Sequence, residues 1–210
     1  MALRVRDGQD GILPHGGAVP CLRYNRPMAI PRLRTGSTAL LVVDIQERLV
    51  PVMRDPQRLV AQAGRLIDGF QVLGLPVLAT EQYRKWLGDT LPEIARRLEG
   101  AACREEKLKF SACIEPVRAH LIDRQVRSVI VCGIEAHVCV LQSCLDLLEA
   151  GYITAIAVDA ISSRRQEDQD AALERLKSAG TIITTVESAL FELMHEAGTD
   201  LFRKMLPLVK

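Results

Sequence analysis

The sequence predicts an α/β protein with three layers, helix, sheet and helix, around a mostly parallel, Rossmann-like sheet of about six strands. Three observations favour this fold class. Short β-branched apolar runs alternate with amphipathic segments of ten or more residues. Several of these runs are apolar throughout, as strands buried on both faces of a parallel sheet are. Glycine or proline stands at most of the boundaries between the two kinds of segment.

Residues 1–36 differ from the rest of the chain. They are rich in glycine and proline and show no sustained periodicity, so we interpret them as an extended or disordered N-terminal arm. The regular pattern begins at Ser37. Residues 37–210 are therefore predicted to form a single domain, which is a usual length for an α/β fold.

The first predicted strand covers residues 38–44, TALLVVD, an apolar run that ends in an acid. Asp55 followed by Pro56 is typical of a helix N-cap and first turn. Apolar residues then recur at helical spacing until Gly74 ends the helix. Residues 76–80, PVLAT, predict the second strand.

The later elements follow from the same two periodicities. Strands or extended segments are predicted over residues 102–110, 128–132, 152–158 and 181–186, and helices over residues 92–98, 116–124, 166–179 and 187–197. A further helix begins near Ala136, directly after the strand at 128–132, and runs to about Glu149 before Gly151 ends it. The apolar C-terminal segment either covers the chain's own core or packs on a neighbouring copy.

Composition narrows the classes of function. The net charge is +1, with 27 basic and 26 acidic side chains, which argues against a nucleic-acid partner or a membrane surface. No apolar run approaches the roughly 20 residues that cross a bilayer, and no secretory signal is apparent. Six cysteines without a CxxC pair favour free thiols in the cytoplasm. The four histidines are scattered, so we expect neither a metal site nor a cofactor.

Cys139 is the candidate nucleophile. It lies on a predicted strand-to-helix turn, where free backbone N–H groups and the helix dipole stabilise a thiolate and an oxyanion. Most free cysteines are simply small buried hydrophobic residues, and that alternative stays open here. In a parallel sheet, Asp44 and Cys139 should lie at the same edge, because each follows the carboxyl end of a strand.

A nucleophilic thiol needs a base and a nearby cation. Asp44 is the candidate base, although an acid at a strand end also caps turns. Lys107 and Lys109 are the candidate cations, two residues apart and therefore on one face of an extended segment. The alternative for both lysines is a solvated, charged edge.

Three motifs in order resemble the isochorismatase-like (cysteine hydrolase) superfamily. They are LLVVDIQ with Asp44 and Gln46, KLKFSA at 107–112, and GIEAHVCV at 133–140. The resemblance extends from about residue 37 to about residue 195. The phrases TEQY at 80–83 and EAHVCVLQS at 135–143 are similar to those of isochorismatase-domain-containing proteins.

The resemblance implies a catalytic triad of Asp44, Lys107 and Cys139. It favours Lys107 over Lys109, because the family lysine stands four residues before a serine, here Ser111. The implied reaction is hydrolysis of a small amide-like C–N bond through a thioester intermediate. It also implies a homo-oligomer, a dimer or tetramer. No Asp-x-His motif occurs near residues 80–92, which makes the metal site of some family members doubtful.

The resemblance further implies a cis peptide bond between Ile134 and Glu135. This bond would aim the N–H of Glu135 alongside that of Cys139, so that the two form an oxyanion hole. The candidates for lining the substrate pocket are Gln46, Tyr83, Trp86, Ile134 and Ala136.

Two other hypotheses compete with the hydrolase. A catalytically idle or redox-sensing member of the same fold, acting as an interaction protein, remains an alternative, since a fold alone does not define a function. A nucleotide-binding oxidoreductase is disfavoured, because the chain has no G-x-G-x-x-G loop after its predicted strands.

Overall fold

Six parallel strands form the centre of the computed structural model, which describes residues 30–209. The strands are β1 (Thr38–Val43), β2 (Val77–Gln82), β3 (Cys103–Lys107), β4 (Ser128–Ile134), β5 (Ile153–Ser162) and β6 (Ile182–Thr184). Their order in the sheet is β3-β2-β1-β4-β5-β6, so the direction of winding reverses between β1 and β4. Every residue of β1, β2 and β4 is buried, which explains the apolar runs of β1, of β4 and of the first half of β2.

Helices cover both faces of this sheet. They are α1 (Pro56–Val72), α2 (Arg84–Leu87), α3 (Pro92–Arg97), α4 (Glu115–Asp123), α5 (Leu141–Glu149), α6 (Gln166–Ser178), α7 (Val186–Met194) and α8 (Asp200–Val209). Two short turns complete the order: a 3-10 turn at Val50–Val52 and a π turn at Ala136–Val140. In the described part of the chain, no helix combines the length and the apolar character that a bilayer span needs.

Two hydrophobic clusters hold the three layers together. One packs α1, α3, α7 and α8 against the sheet and includes Phe70, Leu190 and Met205. The other packs α4, α5 and α6 against the opposite face and includes Leu121 and Leu147. The three-layer α/β/α architecture predicted from the sequence is therefore confirmed, and the sheet is parallel throughout residues 30–209.

The predicted elements occur in the predicted order, with differences at their ends. Asp55 caps α1, since its side chain accepts a hydrogen bond from the Arg58 N–H at 3.3 Å. Strand β2 runs two residues past its predicted end to Gln82, because it pairs with β3 as far as Lys107. Strand β5 runs to Ser162, because β4 resumes its pairing after a bulge near Gly133.

The sequence pattern did not predict two helices. Helix α2 is a single exposed turn, too short for a periodicity to be read from it. Helix α8 holds the apolar C-terminal segment, and the structure decides between the two expectations for it. Met205 is fully buried in the core, with Phe202 and Leu208 packed beside it, so the segment covers the chain's own core.

Residues 1–29 of the predicted N-terminal arm lie outside the described residues. Residues 30–36 contain neither helix nor strand. Leu33 is nevertheless buried in the core, and Arg32 forms an ion pair with Glu192 of α7 at 2.8 Å. The last residues of the predicted arm therefore pack on the domain.

Candidate functional site

The carboxyl edge of the sheet brings together three side chains that are far apart in sequence. Asp44 follows β1, Lys107 ends β3, and Cys139 lies in the π turn after β4. Lys107 Nζ donates a hydrogen bond to Asp44 Oδ2 at 2.7 Å, and the exposed fractions of these side chains are 1% and 0%. The Cys139 thiol is close enough for Asp44 and Lys107 to act on its pKa, which the first raises and the second lowers. A buried acid, a buried cation and a thiol thus lie together at the carboxyl edge of the sheet, where the direction of winding reverses between β1 and β4.

Asp44 is held by the ends of two strands. Its backbone adopts a left-handed conformation with φ of 52°, and its N–H donates to the carbonyl of Thr80 on β2 at 3.1 Å. The Thr80 hydroxyl donates to Asp44 Oδ1 at 2.8 Å. Burial raises the pKa of Asp44 above its ordinary 3.8, while Lys107, Thr80 and the Cys139 thiol oppose that rise. A carboxylate in this setting is a stronger base than an exposed one.

Lys107 is surrounded by oxygens. Its Nζ donates to Asp44 Oδ2 and Gln82 Oε1, both at 2.7 Å, and contacts the carbonyls of Phe110 at 2.9 Å and Lys109 at 3.2 Å. An ammonium has three protons, so these partners occupy all of them. Lys107 therefore contributes a fixed positive charge to the site.

The structure separates the two candidate lysines. Strand β3 ends at Lys107, so Lys109 no longer shares its extended face, and the side chain of Lys109 is exposed. The prediction that the two lysines point to the same side is therefore wrong. Lys109 contributes its carbonyl to the site and leaves its charge in solvent.

Cys139 lies in a turn wider than an α-helix. The Val140 N–H donates to the Glu135 carbonyl at 3.2 Å, an i to i−5 bond that is characteristic of a π turn. The predicted first turn of an α-helix is therefore a π turn, and α5 begins at Leu141. Cys139 is 6% exposed. Its pKa is raised to about 12, first by burial and then by the charge of Asp44, while Lys107 opposes the rise.

The end of β4 approaches β1 very closely at Gly133. Its φ is +117°, and a Cβ built there would lie 2.0 Å from the carbonyl oxygen of Val43. Only glycine fits this approach, since any side chain would overlap the neighbouring strand. The contact fixes the distance between the strand that leads to Asp44 and the strand that leads to Cys139.

The residue predicted to share the oxyanion hole follows the same strand. The peptide bond between Ile134 and Glu135 is cis in the structure. The Glu135 carboxylate accepts a hydrogen bond from Arg164 Nε at 2.9 Å, so the side chain is held by the segment after β5. His137 in the π turn contacts the Ser163 hydroxyl at 3.0 Å. This segment thus supports the turn that carries Cys139.

The predicted pocket residues fall into two groups. Ile134 and Ala136 are completely buried, and their side chains belong to the cores on the two faces of the sheet. Gln46 is also completely buried and hydrogen-bonds to backbone groups of β2 and of the loop after it. Tyr83 and Trp86 are exposed and lie edge to face, with ring centroids 6.4 Å apart. These two aromatic rings are the candidates that a ligand can reach.

Sequence reasoning missed two residues of the site. Thr80 and Gln82 face Asp44 and Lys107 from the end of β2, in the phrase TEQY that carried part of the resemblance. Three consecutive polar residues, at the end of a strand that begins apolar, were the signal that could have identified them.

An open groove of the described residues lies beside this site and has Lys107 in its lining. Its volume is about 740 Å³, and it runs beside α4 and α5, with Lys109, Cys113, Arg118 and Asp146 in its lining. Neither Asp44 nor Cys139 lines it. Within residues 30–209, no three His, Cys, Asp or Glu side chains converge as a bound metal ion would require.

Comparisons with known proteins agree with this architecture. The isochorismatase domain model matches residues 38–188. A secreted isochorismatase effector, Isc1, of Phytophthora sojae is 39% identical over 85% of this chain and 87% of its own length. Isochorismatase domain-containing protein 2 of Danio rerio is 37% identical over 86% of this chain and 90% of its own.

A solved structure is also similar. The MAR1 ribonuclease of Caenorhabditis elegans superimposes with a TM-score of 0.81 at 37% identity, covering 85% of this chain and 92% of that one. The matched residues include all three side chains that meet at the carboxyl edge of the sheet. Sequence, fold and site thus lead to one conclusion: the chain belongs to the isochorismatase family.

Proposed function

We propose that this protein is a cysteine hydrolase that cleaves a small amide-like C–N bond through a thioester on Cys139. One observation carries the proposal: the 2.7 Å ion pair between Lys107 and Asp44 is buried beside a buried thiol. A nucleophile, a base and a fixed positive charge are the parts that acyl transfer to sulfur needs.

The resting thiol is protonated, because the pKa of Cys139 is raised to about 12. Attack on a carbonyl carbon therefore requires a proton to leave the sulfur as the S–C bond forms. Asp44 takes that proton, and the charge of Lys107 offsets the negative charge that moves onto the sulfur. The backbone N–H groups of Glu135 and Cys139 are the proposed donors to the oxyanion.

The second half of the reaction returns the site to its starting state. Asp44 gives its proton to the leaving nitrogen, the C–N bond breaks, and an acyl thioester remains on Cys139. Water then attacks the thioester and gives a proton to Asp44, and the C–S bond breaks to release the acid. The Cys139 sulfur recovers its proton from Asp44. One carboxylate serves as base and acid in turn, and its raised pKa suits both roles.

A panel of small amides tests the proposal, with the acyl-enzyme followed by intact mass. We expect Cys139→Ala to lose both turnover and the acyl mass, whereas Cys113→Ala keeps both, since Cys113 lines the groove beside α4, where neither Asp44 nor Cys139 is found. Turnover that survives in Cys139→Ala would refute the assignment. RNA belongs in the panel, because a 37% identical structure is named a ribonuclease.

The redox-sensing alternative is less well supported. Sensor cysteines are thiolates at neutral pH and accessible, whereas Cys139 is buried and its pKa is raised to about 12. The idle-interaction alternative makes a different prediction, namely that no amide in the panel forms an acyl mass with the protein.

We also propose a cytoplasmic homo-oligomer, a dimer or tetramer. Support for assembly comes from large apolar side chains exposed near the site: Trp86, Leu108 and Phe110. Light scattering on the purified protein tests it, and a monomer at micromolar concentration would contradict it. One relative is named a secreted effector, so cell fractionation is the matching test of location.

A further inference from the structure

Gln82 joins the two strands that carry the buried ion pair. It ends β2, which lies between β1 and β3, and its side chain is buried. Its Oε1 accepts a hydrogen bond from Lys107 Nζ at 2.7 Å, and its Nε2 donates to the Leu108 carbonyl at 2.9 Å. The two ends of this amide therefore bind the lysine and the loop that follows it.

A second glutamine fixes Gln82 in place. The Gln82 N–H donates to Gln46 Oε1 at 2.7 Å, and Gln46 Nε2 donates to the Gln82 carbonyl at 3.0 Å. Gln46 Nε2 also donates to the Gly88 carbonyl at 2.7 Å. Each amide oxygen faces a donor and each amide nitrogen faces an acceptor, so neither side chain can rotate its ends without losing both bonds.

The charges around Lys107 explain why an amide suits this position. Within the described residues, four oxygens contact its Nζ, and one of them, on Asp44, carries a charge. The isosteric carboxylate of a glutamate would place a second anion against the same ammonium. Two anions would then share one buried cation, and each would hold a proton more tightly.

We propose that Gln82 is a positioning residue, which holds the Lys107 ammonium against Asp44 without adding charge and so leaves Asp44 as the single anionic partner of the lysine. This inference rests on the proposed function, because it assigns Gln82 a part in preparing Asp44 to take the proton of Cys139. Gln82 acts through Lys107 and needs no contact with a substrate.

The test compares Gln82→Glu with Gln82→Met, two changes of nearly equal size. Iodoacetamide labels the protein across roughly pH 4 to 9, and mass spectrometry of peptides gives the labelling rate of Cys139. The rate falls at low pH, where Asp44 gains a proton and can no longer accept one from the thiol. We expect Gln82→Glu to move the midpoint of this fall upward by about one pH unit, because the added charge makes Asp44 a stronger base.

The methionine variant loses the hydrogen bond but gains no charge. We expect its midpoint to stay at or below that of the wild type, with the plateau rate lower by roughly fivefold, about the worth of one hydrogen bond. Gln125→Glu is the matched control, since Gln125 is exposed before β4 at the opposite edge of the sheet, and its profile should not change.

The inference is overturned if the Glu and Met variants shift the midpoint equally, as a purely structural role would, or if neither shifts it. Should Gln82→Glu fail to fold, the shorter pair Gln82→Asp and Gln82→Asn makes the same comparison of charge. If no amide of the panel leaves an acyl mass on Cys139, the proposed function fails, and this inference fails with it, whereas an acyl-enzyme without the charge-dependent shift overturns this inference alone. The two failures are therefore distinguishable.

Discussion

Asp44 must meet opposing demands at the scale of a single residue. The proposed mechanism needs it ionised to take a proton from Cys139, yet it is fully buried, which favours its neutral form. Lys107 and Thr80 offset that penalty through the hydrogen bonds they donate to its two oxygens. The balance leaves the pKa of Asp44 above its ordinary value, with burial as the larger influence.

Removal of the Thr80 hydroxyl should therefore raise the pKa of Asp44 further. In Thr80→Val the carboxylate loses the donor to Oδ1, so we expect the fall in Cys139 labelling at low pH to begin up to about one pH unit higher. Because the proposed mechanism uses Asp44 in its ionised form, we expect activity to be present above the pKa of Asp44 and to be lost as the pH falls through it. Thr154→Val, at the start of β5, is the control and should leave the profile unchanged. A downward shift in Thr80→Val would contradict the assignment of Asp44 as base.

At Gly133 the close approach of two strands leaves no room for a side chain. A methyl group there would overlap the Val43 carbonyl and would also be strained at a φ of +117°. We expect Gly133→Ala to lower the free energy of unfolding by about 3 kcal/mol or more, measured by urea denaturation. Gly151→Ala separates the two causes, since Gly151 has φ of +86° with nothing nearby. Its cost should be about 1 kcal/mol, and equal costs would exclude the overlap as the cause.

Residue patterns predicted part of the site. Asp44 and Cys139 follow strands that are apolar throughout, so their meeting at one edge could be inferred from strand ends alone. Residue patterns could not choose between Lys107 and Lys109, because that choice depends on where β3 stops. Thr80 and Gln82 were missed for a related reason: a buried polar residue shows its purpose only when its partner is known.

At the scale of elements, the segment after β2 depends on one buried carboxylate. Glu81 accepts hydrogen bonds from the Thr90 N–H at 2.8 Å and from Arg104 at 2.7 Å, and it pairs with Arg84 of α2 at 3.2 Å. Burial by itself would raise the pKa of Glu81, but the hydrogen bonds from Thr90 and Arg104 outweigh it and lower the pKa below 4.5. This one side chain thus anchors both ends of the segment that carries Tyr83.

Glu81→Gln should therefore destabilise the protein in a pH-dependent way. The ionised carboxylate stabilises the fold above its unfolded pKa near 4.5, and that contribution is lost as the pH falls through the lowered folded value. We expect the variant to be less stable by about 1 kcal/mol at neutral pH and to approach the wild type in acid, measured by thermal unfolding. Glu115→Gln, on an exposed pair with Arg118, should change little at any pH. A constant difference across the pH range would contradict this account.

The turn that carries Cys139 was predicted as α-helix and is a π turn. A five-residue turn has too few positions to distinguish periods of 3.6 and 4.4, so the sequence could not make this distinction. The structure shows what holds the turn: the Ser143 hydroxyl donates to the Cys139 carbonyl at 2.5 Å and accepts from the Ala112 N–H at 2.7 Å. Ser143 therefore connects the turn that carries Cys139 to the loop that follows β3.

Ser143→Ala tests the contribution of these two hydrogen bonds. The change leaves the buried Ala112 N–H without its acceptor, so we expect a loss of about 1–2 kcal/mol in the free energy of unfolding, measured by urea denaturation. The labelling rate of Cys139 should also change, because its backbone carbonyl is released. Ser188→Ala in the exposed first turn of α7 is the control for a serine hydroxyl in a helix. Equal stability of both variants would show that the hydrogen bonds of the Ser143 hydroxyl contribute nothing to the free energy of unfolding.

For the whole molecule, the layers and strand order were more predictable than the boundaries. Alternation of buried strands with amphipathic helices is a repeated signal, and it fixed the three layers and the parallel sheet. Helix α8 escaped prediction because its apolar residues follow a glycine-containing loop and include Pro207, which interrupts helical patterns. Where the final segment packs depends on the surface that α1 and α7 leave open, which is a property of the tertiary structure.

Substitution of Met205 tests how much the packing of α8 contributes to the free energy of unfolding. It is completely buried in the cluster with α1, so we expect Met205→Ala to reduce the free energy of unfolding by about 2–5 kcal/mol. Lys204→Ala, one position earlier and exposed, should cost less than about 0.5 kcal/mol. If both variants match the wild type in urea denaturation, α8 does not pack on the core in solution.

Lys107 stands on the outermost strand and spans β2 to reach the end of β1. Its partner Asp44 is 63 positions away in the chain, and strands so distant in sequence are slow to pair during folding. A refolding chain can therefore regain most of its helices before this acid and this ammonium meet. The reactivity of the Cys139 thiol should therefore return during refolding only when the outermost strand, β3, pairs with β2. Its time course would report when the sheet is complete.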